Sequence, residues 1–195
     1  KSIVSTADVL IHNYRPGVME QLGLGSESLR SENPRLIYTA ISGFGTQGPL
    51  NNAPAYDPVV QAHAGFTAIQ GTDNPEFMRS MICDKITAYT ACQAVTAALL
   101  VREKTNEGQH IDISMLDSGL FFLFPDGFMN NTLLDDDVEV RQHIADIMYN
   151  LTETRDGDII ISAATEEHIY GILQVVGRND LLSDPRFATL DTLIE

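Results

Sequence analysis

The chain has 195 residues, 44% of them hydrophobic, which is enough apolar sequence for one sizeable core or two modest domains and too much for disorder. Its formal net charge of −15 argues against a surface that binds nucleic acid or an anionic membrane. No apolar run approaches the roughly 20 residues of a membrane helix, and the first residues lack a signal-peptide layout.

The two cysteines, Cys83 and Cys92, fall nine residues apart on one predicted helix. That spacing separates them by about 13 Å along the helix axis, which is too far for a disulfide. No Cys and His residues have the spacing of metal ligands. We therefore expect no disulfide and no metal, and a cytoplasmic location where cysteines stay reduced.

The first third of the chain predicts an α/β fold. Ala7–Asn13 and Arg35–Ser42 are short apolar stretches typical of strands, and Val18–Leu24 between them predicts a short helix. A glycine-rich loop follows the second strand from Gly43 to Pro49. Apolar strands separated by helical segments favour a mostly parallel sheet covered on both faces.

The middle of the chain contains the clearest helix. Pro58–Ile69 predicts one helix, and Asp84–Lys104 predicts a longer one that has no glycine or proline and is rich in alanine. A tight connection then leads into a strand at Gln109–Ser114.

The character of the sequence changes after Met115. Residues 130–139 are polar and acidic and indicate a linker. A second unit is predicted from about Tyr149, with a hairpin turn at Asp156-Gly157 and a helix over Glu166–Val176. The chain starts without Met and ends within a predicted helix, so we expect it to be part of a longer protein.

Asp84 is the first candidate for a chemical role. One interpretation is a plain helix N-cap, since Asp is among the residues best suited to that position. The other is a catalytic carboxylate, which the helix N-terminus keeps ionised while the flanking Ile82 and Ile86 remove water from it.

Two further segments carry candidate site residues. Tyr56-Asp57 lies between prolines, and is either a cap for the helix that follows or a phenol and a second carboxylate close to Asp84. Asn13-Tyr14-Arg15 follows a strand, where an arginine is well placed to hold a phosphate, although a solvated arginine before a turn has the same pattern. The Gly43–Gly48 loop predicts a turn or a close approach of the backbone to a ligand.

Taken in order, these segments resemble the family III CoA-transferases, also called the CaiB/BaiF family. The matching segments are ADVLIHNYRPG (7–17), LIYTAISGFG (36–45), AYDPVVQA (55–62) with Gly65, Asp84 before the alanine-rich helix, REKT (102–105), GQHIDISM (108–115) and LLSDPRFA (181–188). The resemblance implies a large Rossmann-like α/β domain over residues 1–117, a linker over 118–148 and a small α+β domain over 149–195. It also implies an interlocked homodimer.

The resemblance implies that Asp84 is the catalytic nucleophile, with Asp57 and Tyr56 beside it. Such a carboxylate attacks an acyl-CoA, forms an aspartyl-CoA thioester and passes CoA to an acceptor carboxylic acid. Contacts to coenzyme A are implied for Asn13, Tyr14, Arg15, Ala55, Tyr56 and Asp57. Gln21 falls where some members carry an arginine that contacts CoA. Because family segments that complete the site lie outside these residues, we expect the isolated chain to be inactive or much impaired.

Two alternatives stay open at this point. The family includes α-methylacyl-CoA racemases, in which His-Asp stands where this chain has Tyr56-Asp57, and Glu166 falls near another acidic racemase position. The missing imidazole favours a transferase over a racemase. A relative that keeps the fold only as a CoA-binding or assembly module is the second alternative. The acyl group and the acceptor are not determined by the sequence.

Overall fold

A computed structural model describes residues 2–71, 74–128, 132–135, 149, 151–163 and 165–187. The chain divides into two compact units, Lys1–Arg141 and Gln142–Glu195. Most of the predicted linker over residues 130–139 lies outside the described residues. The predicted domain limits at residues 117 and 148 stay a prediction.

The first unit contains a parallel sheet of three strands in the order β1-β2-β3. The strands are β1 (Val9–His12), β2 (Ile37–Ser42) and β3 (His110–Ser114). In the register, Leu10 pairs with Tyr38, and Tyr38 in turn pairs with His110. The predicted α/β fold with a parallel sheet is confirmed.

Helices connect and cover these strands. They are α1 (Val18–Gln21), α2 (Ser26–Glu32), α3 (Asp57–Ala64), α4 (Phe66–Gln70), α5 (Ile82–Thr105) and α6 (Met115–Gly127). The single helix predicted over Pro58–Ile69 is wrong, because Gly65 has a φ of +92° and ends α3 before α4 begins. That left-handed conformation is open to glycine without the clash that a Cβ would add.

Two apolar clusters hold the first unit together. Tyr38 packs with Met19 of α1 and Leu29 of α2 on one face of the sheet. The other cluster joins α3, α5 and α6 through Val60, Cys83 and Leu123, and the start of α6 lies against it. Because α5 also contacts β2 and β3, this second cluster fixes the start of α5 relative to the sheet.

The far end of α5 is tied to the sheet by a buried arginine. Arg102 is 6% exposed, and its guanidinium donates to the backbone oxygens of Asp8 and Arg35 and to the Asp8 carboxylate at 2.8 Å. These contacts reach Asp8, directly before β1, and Arg35, two residues before β2. The C-terminal turn of α5 is therefore attached to both strands by one side chain.

The second unit contains an antiparallel hairpin and a helix. The hairpin joins β4 (Leu151–Thr154) to β5 (Gly157–Ile160), as the Asp156-Gly157 pair predicts. Helix α7 (Glu166–Val175) begins after Thr165, whose hydroxyl accepts a hydrogen bond from the His168 N–H. Short 3₁₀ turns follow at Asn179–Ser183 and Pro185–Phe187. Within the described residues, no helix is both long and apolar enough to span a membrane.

Candidate active site

A cavity of about 520 Å³ opens where the three parallel strands end. Its wall includes Ser42 at the end of β2 and Met115 directly after β3. The carboxyl edge of an open α/β sheet is where ligands bind in this fold class. Every residue predicted for the site lines this cavity: Asn13, Tyr14, Arg15, Ala55, Tyr56, Asp57 and Asp84. Sequence segments up to 71 residues apart are thus brought together at one place.

Asp84 lies in the first turn of α5, two residues inside the helix. The interpretation of Asp84 as the N-cap is wrong, since Met81 holds that position. Its side chain is exposed at the cavity, and no hydrogen-bond donor of the described residues reaches its carboxylate. The carboxylate is therefore open to a reaction partner.

Asp57 has the opposite environment. It is 5% exposed, its Oδ1 accepts a hydrogen bond from the Asp84 N–H at 3.0 Å, and its Oδ2 accepts one from the Gln61 amide at 2.5 Å. The interpretation of Asp57 as a cap for its own helix is wrong, because Tyr56 holds that position and Asp57 is the first residue of α3. Asp57 instead satisfies a free N–H group in the first turn of α5.

The electrostatics of Asp84 follow from this neighbourhood. Although Asp84 is exposed at the cavity, the surrounding chain removes part of the water around its carboxyl, and this desolvation raises its pKa above the ordinary value of 3.8. The charge of Asp57 raises the pKa further, and Lys85 opposes both effects. Loss of hydration is therefore the largest single effect on the pKa of this carboxyl. The adjacent Cys83 is fully buried, and burial together with the two carboxylates raises the pKa of its thiol to about 12. A thiol in that state is a poor nucleophile, and of these two neighbours Asp84 is the one exposed at the cavity.

The rim of the cavity is polar and aromatic. Tyr14 and Tyr56 are 56% and 73% exposed, so each presents a ring and a hydroxyl to solvent at the opening. Tyr14 is oriented by His12, whose ring stacks against it and whose Nδ1 accepts the Tyr14 N–H at 3.3 Å. Arg15 is the one cation among the lining residues. It gives this edge a positive group in a strongly acidic chain.

The glycine-rich loop after β2 forms a turn, as predicted, and its backbone also makes a close approach, but to another segment of the chain. Gly45 and Gly48 have φ values of +78° and +85°, as a turn requires. A Cβ added at Gly43 would collide with the Cβ of Ala55. The close approach at Gly43 is therefore to the segment that carries Tyr56 and Asp57.

Other residues of the site were missed by the sequence analysis. Thr87 and Ala88 line the cavity three and four residues after Asp84, and Gln61 follows Asp57 by four. Helical spacing places such residues on the same face, so this signal was present in the sequence. Gln21 does not line the cavity. Glu166 is the first residue of α7 in the second unit.

The chain belongs to CoA-transferase family III, whose sequence profile matches residues 1–195. The resemblance predicted from the motifs is confirmed.

Named relatives are identical to this chain at about a third of the aligned positions. An acetyl-CoA:oxalate CoA-transferase from Acetobacter aceti is 34% identical, over 95% of this chain and 49% of the relative. A probable fatty acyl-CoA transferase from Mycobacterium tuberculosis is 34% identical, over 95% and 50%. A succinate–glutarate CoA-transferase from Agrobacterium fabrum is 32% identical, over 97% and 48%. The chain spans about half the length of the curated relatives it matches.

Solved structures agree with these sequence matches. The orthorhombic crystal structure of the Mycobacterium tuberculosis protein has a TM-score of 0.83 at 33% identity, covering 98% of this chain and 50% of that one. A CaiB/BaiF family protein from Brucella suis has a TM-score of 0.78 at 28% identity, covering 98% and 52%. No group of three or more His, Cys, Asp or Glu side chains in the described part of the chain is arranged to hold a metal ion.

Proposed function

We propose that this protein is a CoA-transferase that moves CoA from an acyl-CoA thioester to a carboxylic acid, with Asp84 as the nucleophile. The observation that carries the proposal is the contrast between the two acids of the cavity. Asp57 is buried and both of its oxygens accept hydrogen bonds, whereas the Asp84 carboxylate faces the cavity without a donor from the described residues. A carboxylate with free lone pairs can attack a carbonyl carbon.

The reaction proceeds by exchange of acyl partners on Asp84. An oxygen of Asp84 attacks the thioester carbonyl, the C–S bond breaks, and a mixed anhydride and CoA thiolate result. The thiolate then attacks the aspartyl carbonyl, which releases the first carboxylic acid and leaves an aspartyl-CoA thioester. The acceptor carboxylate attacks that thioester, which gives a second anhydride and releases CoA thiolate. The thiolate then attacks the acceptor carbonyl of the anhydride, which forms the new acyl-CoA and frees the Asp84 carboxylate.

The rim and the loop after β2 supply the binding groups of this proposal. Arg15 is assigned a phosphate of CoA, and Asn13, Tyr14, Ala55 and Tyr56 flank the path of the cofactor into the cavity. Backbone N–H groups of the Gly43–Gly48 loop, where Gly43 lines the cavity, are the proposed donors to the oxyanion.

The relatives support a carboxylate acceptor without fixing which one. Their names specify oxalate, glutarate and succinate, all of them carboxylic acids, and a fatty acyl-CoA. We propose the same substrate class for this protein. We also propose that it works as a cytoplasmic homodimer that uses no metal. Light scattering of the purified protein tests the dimer, since a monomer mass contradicts it.

The racemase alternative needs a second group that exchanges protons with the substrate. Asp57 is the nearest candidate, but its oxygens accept hydrogen bonds from Asp84 and Gln61. Tyr56 stands in place of the racemase histidine, and a phenol lacks the basic ring nitrogen that an imidazole supplies. The arrangement therefore favours nucleophilic catalysis over proton exchange.

The deciding experiment is mass spectrometry of the whole protein after incubation with an acyl-CoA. We expect a CoA adduct on the peptide that holds Asp84, and no adduct in Asp84→Asn. Asp126→Asn, an exposed acid of α6 outside the cavity, serves as the matched control and should react as wild type does. Deuterium incorporated at the acyl α-carbon without an adduct indicates a racemase. CoA binding with neither reaction indicates a non-catalytic relative.

A further inference from the structure

Gln61 is a buried amide that the proposed chemistry does not use. It lies on α3, four residues after Asp57, and is 2% exposed. Its Nε2 lies 2.5 Å from Asp57 Oδ2, 2.9 Å from the Ser80 oxygen and 3.2 Å from the Met78 oxygen. Its Oε1 accepts the Met78 N–H at 3.1 Å. The Gln61 side chain thus contacts both Asp57 and residues 78–80, the segment that leads to α5.

The contacts of Gln61 determine how the chain enters α5. Met78 is held at both its N–H and its carbonyl oxygen, and Ser80 is held at its carbonyl oxygen. The Ile82 N–H donates to that same Ser80 oxygen at 2.8 Å, directly where α5 begins. Gln61 therefore links Asp57 to the last residues before the helix that carries Asp84.

Asp84 depends on its backbone for its position. Because no donor of the described residues reaches its carboxylate, the place of that carboxylate in the cavity is set by where the first turn of α5 lies. Besides the apolar cluster around Cys83, two polar side chains hold that turn: Asp57 accepts the Asp84 N–H, and Gln61 binds both Asp57 and the residues before the helix.

We propose that Gln61 is a positioning residue for Asp84, acting through Asp57 and through the backbone of residues 78–80. Its role in catalysis rests on the proposed function, whereas its control of the α5 start does not. The chemistry of the contacts requires an amide. Three acceptor oxygens lie within hydrogen-bond distance of Nε2. The amide nitrogen carries two protons, so one proton is shared between two of these oxygens. A glutamate carboxylate at this position would place an acceptor oxygen against those three acceptors, with no proton between them.

Two variants test this requirement. Gln61→Met keeps the length and removes every hydrogen bond, while Gln61→Glu keeps the shape and replaces the donor by an acceptor. Gln93→Met is the control for the substitution itself, since Gln93 is exposed on α5 and lies outside the cavity. Leu29→Ala is the control for lost stability, since Leu29 is fully buried in the other apolar cluster.

The measurements use the whole protein. The first is the single-turnover rate of adduct formation on Asp84, together with the affinity for CoA. We expect both Gln61 variants to slow the adduct by about 100-fold, the typical effect of a misplaced reactive group, with CoA affinity changed less than about twofold. The second is hydrogen exchange of the peptide that holds Asp84, which should become faster in the Gln61 variants alone.

Each outcome decides for or against the positioning role. Slower adduct formation in the Gln61 variants, with Leu29→Ala close to wild type, supports it. Wild-type rates in both variants, or a loss that Leu29→Ala reproduces, overturn it. If one variant fails to fold, the other carries the comparison. If wild type forms no adduct, the proposed function fails, and exchange at the Asp84 peptide still decides whether Gln61 holds the start of α5.

Discussion

The carboxylate of Asp57 accepts a hydrogen bond from the backbone N–H of Asp84, with 3.0 Å between nitrogen and Oδ1. One acid thereby fixes the main chain of the other and leaves the second side chain unpaired among the described residues. Asp57 is also the first residue of α3, so the N-termini of α3 and α5 meet at a single carboxylate. Helix N-termini favour a negative charge, which stabilises Asp57 in this position.

The first prediction concerns the coupling of the two acids. Since the charge of Asp57 contributes to the raised pKa of Asp84, Asp57→Asn should lower the pKa of Asp84. It should stay above 3.8, because burial is the larger cause. Titration of ¹³C-labelled aspartate carboxyls by NMR measures both values. An Asp84 pKa that is unchanged or higher in Asp57→Asn contradicts the coupling, and Asp126→Asn is the control for a distant charge.

The second prediction concerns stability as a function of pH. A carboxyl whose pKa is raised on folding binds more protons folded than unfolded, so it destabilises the fold once the pH passes its folded pKa. Asp84→Asn should therefore raise the melting temperature near neutral pH. The difference should disappear below pH 3.8, where the acid is protonated in both states. A difference that persists below that pH points to a cause other than the charge.

The third prediction concerns the buried end of α5. Arg102→Met removes the guanidinium donors to the backbone oxygens of Asp8 and Arg35, of which the Asp8 oxygen keeps the Ile37 N–H. We expect a loss of about 2 kcal/mol in the free energy of unfolding, in the range of hydrogen bonds made by charged groups. Urea denaturation measures it. Arg178→Met is the matched control, because the Arg178–Asp180 pair is exposed and should contribute nothing measurable.

The fourth prediction concerns the contact between Gly43 and Ala55. Gly43→Ala places a methyl group against the Ala55 side chain and should destabilise the first unit by about 1–3 kcal/mol. The double substitution Gly43→Ala with Ala55→Gly should recover most of that loss, since it restores the space. Gly171→Ala in α7 is the control: nothing lies near its added Cβ, so helix propensity should make it stabilising. An equal loss in the single and double variants rules out the steric explanation.

The fifth prediction concerns the 195-residue chain by itself. It covers about half the length of the relatives it matches, and the family resemblance implies that other segments complete the CoA site. We expect its turnover of acyl-CoA to be absent or far below that of the whole protein. Steady-state assays of both forms, each beside its Asp84→Asn variant, measure the difference. Equal turnover that depends on Asp84 in both forms contradicts the expectation.

Local patterns in the sequence predicted much of this fold. Apolar stretches separated by helical segments predicted the parallel sheet, and the Asp156-Gly157 pair predicted the hairpin. The break at Gly65 was missed because the apolar pattern continues across it, although a glycine at that point was a signal. Short-range periodicity reports burial and not a single backbone angle.

The site was predictable only in part. The sequence identified the site residues because they lie in motifs that follow the order of the family, and in the structure those residues line one cavity. The start of α5 was misplaced by two residues because the N–H of Asp84 in its first turn donates to Asp57, 27 positions away, and no neighbouring side chain caps the helix. The spacing of four residues from Asp57 indicated the helix face on which Gln61 lies, but not its role, because its other partners are backbone groups 17 to 19 positions away. Contacts between a side chain and a remote main chain leave no pattern in residue types.

The attachment of α5 at both ends limits how this region can change in length. Asp57 and Gln61 hold its first turn, and Arg102 holds its last. A single inserted or deleted residue between them rotates one end relative to the other by about 100° and shifts it by about 1.5 Å. Either Asp84 or Arg102 then loses its place. Homologous sequences should therefore vary in composition at the exposed positions of this helix while keeping the number of residues between these two positions constant.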